Sequence, residues 1–116
     1  MPKETDWYPG IVDLATQHGW LVHHTRAALR QSGKWSTPIM GRRGYPDFTF
    51  CHPARGVVMF REVKGPRTTV DPDQKIWLAG LQTCGVDVDI WRMPKDWERA
   101  VTELTFGRGH VQDSML

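Results

Sequence analysis

The fold of this chain is decided by one stretch, Tyr45-Pro46-Asp47-Phe48-Thr49-Phe50, which continues through Cys51-His52-Pro53-Ala54-Arg55-Gly56 into Val57-Val58-Met59-Phe60-Arg61-Glu62-Val63-Lys64. Aromatic and β-branched residues dominate its two ends, and the middle holds His, Pro, Arg and Gly. This pattern predicts two strands joined by a turn. A turn centred near Pro53 and Ala54 sets Phe50 opposite Met59, and it sets Asp47 opposite Glu62.

Charged residues interrupt this apolar hairpin at Asp47, Glu62 and Lys64. Directly opposed side chains have Cβ atoms roughly 4.5–5.5 Å apart, so the two carboxylates would repel each other. A hard divalent cation that accepts oxygen ligands is the natural partner for such a pair. Because Glu62 and Lys64 are two positions apart on a strand, they point to the same face. The hairpin therefore predicts a site that can bind a metal, orient a water and stabilise a phosphate.

The spacing of these residues resembles a known nuclease signature. Pro46-Asp47, fourteen intervening residues and then Glu62-Val63-Lys64 are similar to the PD-(D/E)XK motif. The wider match is to the VRR-NUC domain family, and it runs from about Glu4 to Leu104. A short acidic motif recurs by chance, but the segments around it make the resemblance specific. The matching segments are Gly19-Trp20 with His24, Gly44-Tyr45-Pro46-Asp47, Glu62-Val63-Lys64, Gln74 with Trp77 and Leu81, Gly85, and Trp91-Arg92 with Pro94 and Asp96.

This resemblance implies a reaction and the residues that carry it. The reaction is hydrolysis of a phosphodiester bond in DNA by water activated at one or two Mg²⁺ or Mn²⁺ ions. Asp47 and Glu62 would hold the metal together with the main-chain carbonyl of Val63. Lys64 would lie beside the attacking water, where it can lower the pKa of that water or stabilise the transition state.

Two further residues are brought to the site by the resemblance, Gln74 and Glu4. Gln74 would orient water or metal-bound groups, although a glutamine in the first turn of a helix is also a common capping residue. Glu4 aligns with a glutamate in the first helix of the nuclease family. It faces the site if that helix extends back through Pro9, and it is a loop residue if the helix begins at Asp6, the expected N-cap.

The substrate and the assembly are also implied by the resemblance. Stand-alone members of the family resemble Holliday junction resolvases, which are homodimers that cut branched DNA. A small chain with one active site needs a partner to cut two strands symmetrically, so we expect a homodimer. The alternatives are a flap or nicking endonuclease and, outside the class, a non-catalytic DNA-binding module that has retained the fold. Compact domains of this kind are frequent in bacteriophages, which favours a phage or bacterial source.

Basic residues cluster just before the hairpin. The stretch from Arg26 to Arg43 carries five of them and no acidic residue. Such a run is usually a solvated loop, but beside a candidate phosphodiesterase site phosphate contact is the better interpretation. The neighbours His23 and His24 cannot grip one metal ion, because successive strand residues point to opposite faces. The residues expected to contact DNA are Arg26, Arg30, Lys34, Arg42, Arg43, Arg67 and Lys75.

Helical spacing and capping residues predict the elements around the hairpin. A first helix precedes the strand Trp20–His24, and part of Thr25–Gln31 is expected to be helical within a long irregular stretch. Asp71 and Pro72 begin a helix that runs to Cys84. The residues predicted to form its buried face are Ile76, Trp77, Gly80, Leu81 and Cys84.

The end of the chain alternates before it becomes helical. From Val86 to Trp91 the apolar residues predict an inward face, and Asp87 and Asp89 are expected on a solvated outer face rather than at a second metal site. A final helix from Trp97 completes an order that predicts an α/β domain with a mixed, roughly four-stranded sheet flanked by helices. This agrees with the restriction-endonuclease-like core that the VRR-NUC resemblance implies.

Length and composition limit the class of protein. The 116 residues are 40% apolar and 24% charged with a net charge of +2, which is typical of a single globular domain. We expect a core over about residues 4–104 and a tail at 105–116. Cys51 and Cys84 are too few for a disulfide framework and are interpreted as packing residues in a reducing compartment. No apolar segment predicts a signal or a membrane span, so the expected location is the cytoplasm of a bacterium or a phage-infected cell.

Overall fold

The computed structural model describes residues 3–25 and 39–107, together with the backbone of residues 28–29 and 35–36. Three expected DNA contacts, Arg26, Arg30 and Lys34, lie outside the described residues, as does the predicted tail from residue 108 onward. The described elements, in chain order, are α1 (Tyr8–Gln17), β1 (Leu21–His24), β2 (Ala28–Leu29), β3 (Trp35–Ser36), β4 (Phe48–His52), β5 (Val57–Lys64), α2 (Pro72–Thr83), β6 (Asp87–Arg92) and α3 (Trp97–Phe106).

A four-stranded mixed sheet with the order β1-β4-β5-β6 organises these elements. β4 is antiparallel to both β1 and β5, whereas β6 runs parallel to β5. Phe50 pairs with Met59, as the position of the turn predicted. The predicted α/β class and the mixed sheet flanked by helices are therefore confirmed.

The hydrophobic core lies on one face of this sheet, beneath α1 and α3. β5 contributes Met59 and Val63 to it, and because strand residues alternate, Glu62 and Lys64 belong to the opposite face. The alternation separates the charged site from the core. The buried apolar residues are Ile11, Ala15, Trp20, Phe48, Phe50, Met59, Val63, Trp91, Met93, Ala100 and Leu104.

Helix α2 begins and ends where the sequence predicted. Asp71 is the N-cap, and its side chain accepts the Gln74 main-chain N–H at 2.9 Å. Pro72 is the first helical residue, where its missing N–H costs no hydrogen bond. Gly85 follows the helix with a φ of +79°, the left-handed conformation that ends many helices.

The predicted buried face of α2 is wrong in part. Ile76 is 52% exposed and Cys84 is also exposed, so Cys84 is not a packing residue. Open space surrounds Gly80, so no neighbouring element packs against this part of the predicted buried face. The helix contacts the domain through Trp77, whose ring packs edge-on against Tyr45 at 5.0 Å between centroids.

The start of the chain differs from the expected N-cap at Asp6. A 3₁₀ turn, Glu4–Trp7, leads directly into α1, and Pro9 lies in the first turn of α1. Asp6 instead accepts the main-chain N–H of Lys3 at 2.7 Å. Helical backbone thus extends back through Pro9 to Glu4, because proline is tolerated in a first helical turn.

Two other expectations are corrected by the strands. Ala28–Leu29 pairs antiparallel with Trp35–Ser36, so these residues of the predicted helical segment form a strand. Asp87 and Asp89 are half-buried rather than on a fully solvated face, with 25% and 39% of their side-chain surfaces exposed. Their carboxylates lie 2.9 Å from the guanidinium groups of Arg61 and Arg99, respectively. Within the described ranges, no helix is long and apolar enough to cross a membrane.

Candidate active site

Asp47 and Glu62 meet at the open end of the β4–β5 hairpin. The main-chain N–H of Asp47 donates to Glu62 Oε1 at 3.2 Å, and the N–H of Val63 donates to Asp47 Oδ2 at 2.8 Å. The negative charge of Asp47 acts directly on Glu62, because the two carboxyl groups are close neighbours. The structure therefore places this pair together as the hairpin register predicts.

The environment of the pair disfavours two negative charges. Burial, followed by repulsion from Asp47, raises the pKa of Glu62 to about 8, although the ammonium of Lys64 acts in the opposite direction. Burial also raises the pKa of Asp47, despite the hydrogen bond from Val63. Carboxylates that are buried next to each other in this way gain stability when a cation binds between them.

Lys64 supplies positive charge next to the pair. Its Nζ lies 3.4 Å from Glu62 Oε2, and both side chains are almost completely buried. One ammonium faces two carboxylates, so the site is negative when both are ionised. A further positive charge that binds at the site would therefore be attracted by the remaining negative charge.

Gln74 both caps α2 and contacts the carboxylate pair. Its side-chain Oε1 accepts the Asp71 N–H at 3.1 Å, which completes a capping box at the start of α2. The Nε2 of the same amide donates to Glu62 Oε2 at 2.8 Å. The two interpretations left open by the sequence are thus compatible, because the cap fixes the amide so that its nitrogen faces Glu62.

Glu4 reaches the site from the 3₁₀ turn. Its Oε2 accepts the main-chain N–H of Gly65, the residue after Lys64, at 3.0 Å. The charge of Glu4, with those of Asp47 and Glu62, also raises the pKa of Tyr8, after the larger effect of burial. The structure therefore places Glu4 beside the carboxylate pair rather than in a remote loop.

Tyr8 and His24 were given no firm role from the sequence, yet they lie against the pair. The His24 ring stacks on Phe48 and contacts the ring of Tyr8, with centroids 4.4 Å apart in each case. His24 Nδ1 lies 2.8 Å from the carbonyl oxygen of Asp47. A carbonyl only accepts, so Nδ1 carries the ring proton. The sequence did contain one indication that Tyr8 lies near the site. Tyr8 follows Glu4 by four residues, and residues at this spacing share one face of a helix.

The donor set fits a hard divalent cation. Asp47 and Glu62 offer carboxylate oxygens, and Val63 offers a carbonyl, because the N–H and C=O of a strand residue point the same way and the Val63 N–H faces Asp47. Within the described part of the chain, no three His, Cys, Asp or Glu side chains form a ready-made metal cage. Two carboxylates and a carbonyl are oxygen ligands of the kind that Mg²⁺ prefers, and Mg²⁺ commonly retains several waters.

A groove of about 1180 Å³ leads away from Asp47 and Gln74 along residues 39–46. Arg42 and Arg43 lie on its wall, and both are exposed. Arg42 Nη2 is 3.3 Å from Asp73 Oδ1, an exposed ion pair of the kind that contributes little to stability. Arg67 and Lys75, the other described residues expected to contact DNA, are exposed but do not line the groove.

Comparison with known proteins agrees with this arrangement. The family model of the VRR-NUC domain matches residues 26–93, more than half of the chain. The chain belongs to the VRR-NUC domain family. The matched span of this VRR-NUC domain includes Asp47, Glu62, Lys64 and Gln74, and the family is one of nucleases.

A solved structure described as a VRR_NUC domain shares the fold. It superposes with a TM-score of 0.63, covers 87% of this chain and 96% of its own, and is 24% identical in sequence. At that level of identity the likeness concerns the fold alone. The comparison with curated proteins returned no match.

Proposed function

We propose that this VRR-NUC domain hydrolyses phosphodiester bonds in DNA in a reaction that depends on Mg²⁺ or Mn²⁺. The observation that supports this best is the buried pair of Asp47 and Glu62, whose pKa values are both raised. Asp47, Glu62 and the Val63 carbonyl would hold the ion. When bound, the ion would supply a water of lowered pKa and stabilise charge on the phosphate.

The surrounding residues prepare this site in distinct ways. The Lys64 ammonium, 3.4 Å from Glu62 Oε2, is placed to stabilise negative charge that develops on the phosphate oxygens in the transition state. Gln74 holds Glu62 in one orientation through its Nε2. Glu4 fixes the main chain directly after Lys64 by accepting the Gly65 N–H. Preorganisation of this kind lowers the reorganisation that the reaction requires.

Branched DNA is the substrate that we propose, with the Holliday junction as the first choice and a homodimer as the active form. Two copies related by a twofold axis would present two sites to two strands. A flap or nicking endonuclease is the second choice, and the groove beside Asp47, which has room for a strand end, favours it. A non-catalytic module is less consistent with the assembled site. We further propose that the protein acts in the cytoplasm of a bacterial or phage-infected cell.

Cleavage assays with defined DNA structures test this proposal. The purified chain is incubated with end-labelled duplex, flap and four-way junction DNA of matched sequence, in Mg²⁺, Mn²⁺ or EDTA. We expect cleavage only with a divalent ion, fastest on the junction, with paired cuts on opposing strands. Asp47→Asn is the matched control, because it keeps the shape of the side chain but removes the charge. Cleavage that persists in EDTA or in Asp47→Asn would contradict the proposal, as would the absence of any cleavage with either ion.

A further inference from the structure

The segment that leads into Asp47 carries an exposed apolar pair, Ile39 and Met40. Met40 is completely exposed and Ile39 is 50% exposed, and both line the groove that ends at Asp47. A single exposed apolar side chain is ordinary on a protein surface. Two consecutive ones, on the wall of a groove that also holds Tyr45, instead suit a partner that presents an apolar face of its own.

Positive charge adjoins this apolar pair. Arg42 and Arg43 follow on the same segment, between the pair and Asp47, and both are exposed. The contact of Arg42 with Asp73 is open to solvent on both sides, so the guanidinium is available to a phosphate. Tyr45, 42% exposed, continues the apolar wall toward Asp47. A groove that carries cationic side chains next to apolar and aromatic ones suits a nucleic acid strand, whose phosphates attract positive charge and whose bases stack on apolar surfaces.

The base of the segment is fixed against α2. Trp77 Nε1 donates to the carbonyl of Arg42 at 3.2 Å. Gly44 has a φ of +96°, and a Cβ at this position would lie 2.5 Å from the Asp73 carbonyl carbon and oxygen. Only glycine permits this approach, so the segment is held at a set distance from the carboxylate pair. A side chain that separates stacked bases needs such a rigid support.

The chemistry of the pair selects among the forms of DNA. In a continuous duplex the bases are stacked on one another, so a side chain that inserts between them must offset the unstacking of a base step, which costs a few kcal/mol. At a branch point, bases are unpaired or easily unstacked, and apolar residues such as Ile and Met are the type that insert between base steps. The groove, at about 1180 Å³, is also larger than the about 300–1,000 Å³ of a small-molecule site.

We propose that Ile39 and Met40 contact unstacked bases at a DNA branch point and set the preference of this domain for branched over continuous DNA. The inference rests on the proposed nuclease function, since it concerns the groove of the same site. Arg42 and Arg43 bind the neighbouring phosphates without regard to branching. The DNA strand that reaches Asp47 is thereby selected because its bases are unstacked, and not because of its base sequence.

Three double variants separate the two contributions. Ile39→Ser with Met40→Ser removes the apolar surface, Ile39→Leu with Met40→Leu retains it, and Arg42→Ala with Arg43→Ala removes the charges. Binding to a four-way junction and to a linear duplex of the same sequence is measured in Ca²⁺ over a range of salt. A junction with 2-aminopurine at the branch point reports unstacking by its fluorescence. Circular dichroism checks that each variant is folded.

We expect the serine variant to lower the ratio of junction to duplex affinity by about tenfold and to lose the 2-aminopurine response. The leucine variant should keep both. The arginine variant should weaken binding to both DNAs and flatten the slope of log affinity against log salt by about two units, with the ratio retained.

A serine variant that keeps the wild-type ratio and fluorescence response would overturn the proposal. So would a leucine variant that loses them, since the effect would then not follow from apolar contact. Binding is measured in Ca²⁺ whether or not the wild type cleaves in Mg²⁺. Failure of the nuclease function and failure of this inference are therefore distinguishable.

Discussion

Strand β5 buries charged residues on both of its faces, but the groups that surround these charges differ between the two faces. On the face covered by α1 and α3, Arg61 is completely buried and lies 3.1 Å from Glu103 Oε1 and 2.9 Å from Asp87 Oδ1. On the opposite face Glu62 is equally inaccessible, yet its neighbours are a second carboxylate, Asp47, and one ammonium. On the first face each carboxylate lies against a guanidinium group, whereas on the second face two adjacent carboxylates share one ammonium.

This difference distinguishes charge that supports the fold from charge that serves a function. The groups around Arg61 are also hydrogen-bonded by neutral donors and acceptors: Trp91 Nε1 donates to Glu103 Oε1 at 2.9 Å, and Arg61 Nη1 donates to the Phe60 carbonyl at 2.8 Å. At Glu62 the pKa of about 8 shows that the ionised form is disfavoured, and a cation that binds the pair recovers that free energy.

The largest expected effect is at the carboxylate pair, where substitutions should abolish cleavage without lowering the stability of the fold. Glu62→Gln and Asp47→Asn should each abolish cleavage, because each removes a metal ligand charge. At pH 8 in EDTA Asp47→Asn should be as stable as the wild type or more stable, because one of two repelling carboxylates is gone and the amide oxygen can still accept the Val63 N–H. Single-turnover cleavage and urea unfolding measure the two quantities. Variants that lose stability in proportion to activity would assign the pair to the fold instead.

Arg61 should show the opposite behaviour. Arg61→Met removes the guanidinium that contacts Glu103 Oε1 and Asp87 Oδ1, and breaking a buried ion pair typically destabilises a protein by about 3–5 kcal/mol. Because Arg99 Nη1 remains 3.2 Å from Glu103 Oε2, we expect a loss near the lower end of this range. Adding Glu103→Gln should recover part of this loss, since Gln is neutral and its amide oxygen can still accept from Trp91. Urea unfolding at pH 7 measures both variants. A loss below about 1 kcal/mol for Arg61→Met, the value expected of an exposed pair, would mean that the two faces do not differ as described.

Lys64 combines features of both faces, because it is buried like Arg61 but contacts the reactive pair. Lys64→Met should lower the single-turnover rate by roughly 10²–10³-fold, the effect of removing one preorganised charge in a transition state. Equilibrium binding of branched DNA in Ca²⁺ should fall little, because other basic residues remain. Equal losses of rate and affinity would make Lys64 a substrate anchor rather than a participant in the chemistry.

A smaller effect is expected at His24, which contacts the main-chain carbonyl of Asp47 rather than its carboxylate. His24→Phe keeps the stacking on Phe48 but loses the donor to the Asp47 carbonyl, and His24→Gln offers its amide at the position of the other ring nitrogen. Both should raise the Mg²⁺ concentration needed for half-maximal cleavage by about tenfold. His24→Asn, whose amide nitrogen can replace Nδ1, should restore it. A failure of the asparagine to rescue, or no change in either other variant, would remove this role.

The two faces also differed in how far the sequence predicted them. Asp47 and Glu62 could be set opposite each other because a hairpin pairs residues that are close in sequence, and the position of the turn fixes their register. The partners of Arg61 lie 26 and 42 residues further along the chain, and nothing local to β5 records them. Asp87 and Asp89 alternate as they would on a solvated strand, so their ion pairs could not be inferred.

The helices illustrate a second limit of the sequence. Spacing along α2 showed correctly which residues share a side of the helix, and Asp71 and Pro72 showed where the helix begins. It did not show how much of that side the sheet covers, and Ile76 and Cys84 remain exposed. Coverage depends on the tertiary arrangement, whereas capping depends on neighbours in sequence.

The pH dependence of stability follows from the raised pKa of Glu62. Its value in the folded chain, about 8, lies above the ordinary value of 4.5, so between these values the folded state retains a proton that the unfolded state has lost. Metal-free stability should therefore fall as the pH rises through this window, and Glu62→Gln should flatten the profile. Thermal unfolding in EDTA at several pH values measures this. A wild-type profile that is flat, or that rises, would contradict the assignment.

Whether Asp47 and Glu62 form a cation site is tested most directly by counting protons during Mg²⁺ binding. Calorimetric titration at pH 6.5–7 in two buffers of different ionisation enthalpy gives both the affinity and the number of protons released. We predict that the wild type releases about one proton per site, that the release approaches zero at about pH 9, and that Glu62→Gln abolishes tight binding. Mg²⁺ binding without proton release at pH 6.5–7, or binding of equal affinity in Glu62→Gln, would contradict the assignment of this pair as the metal site.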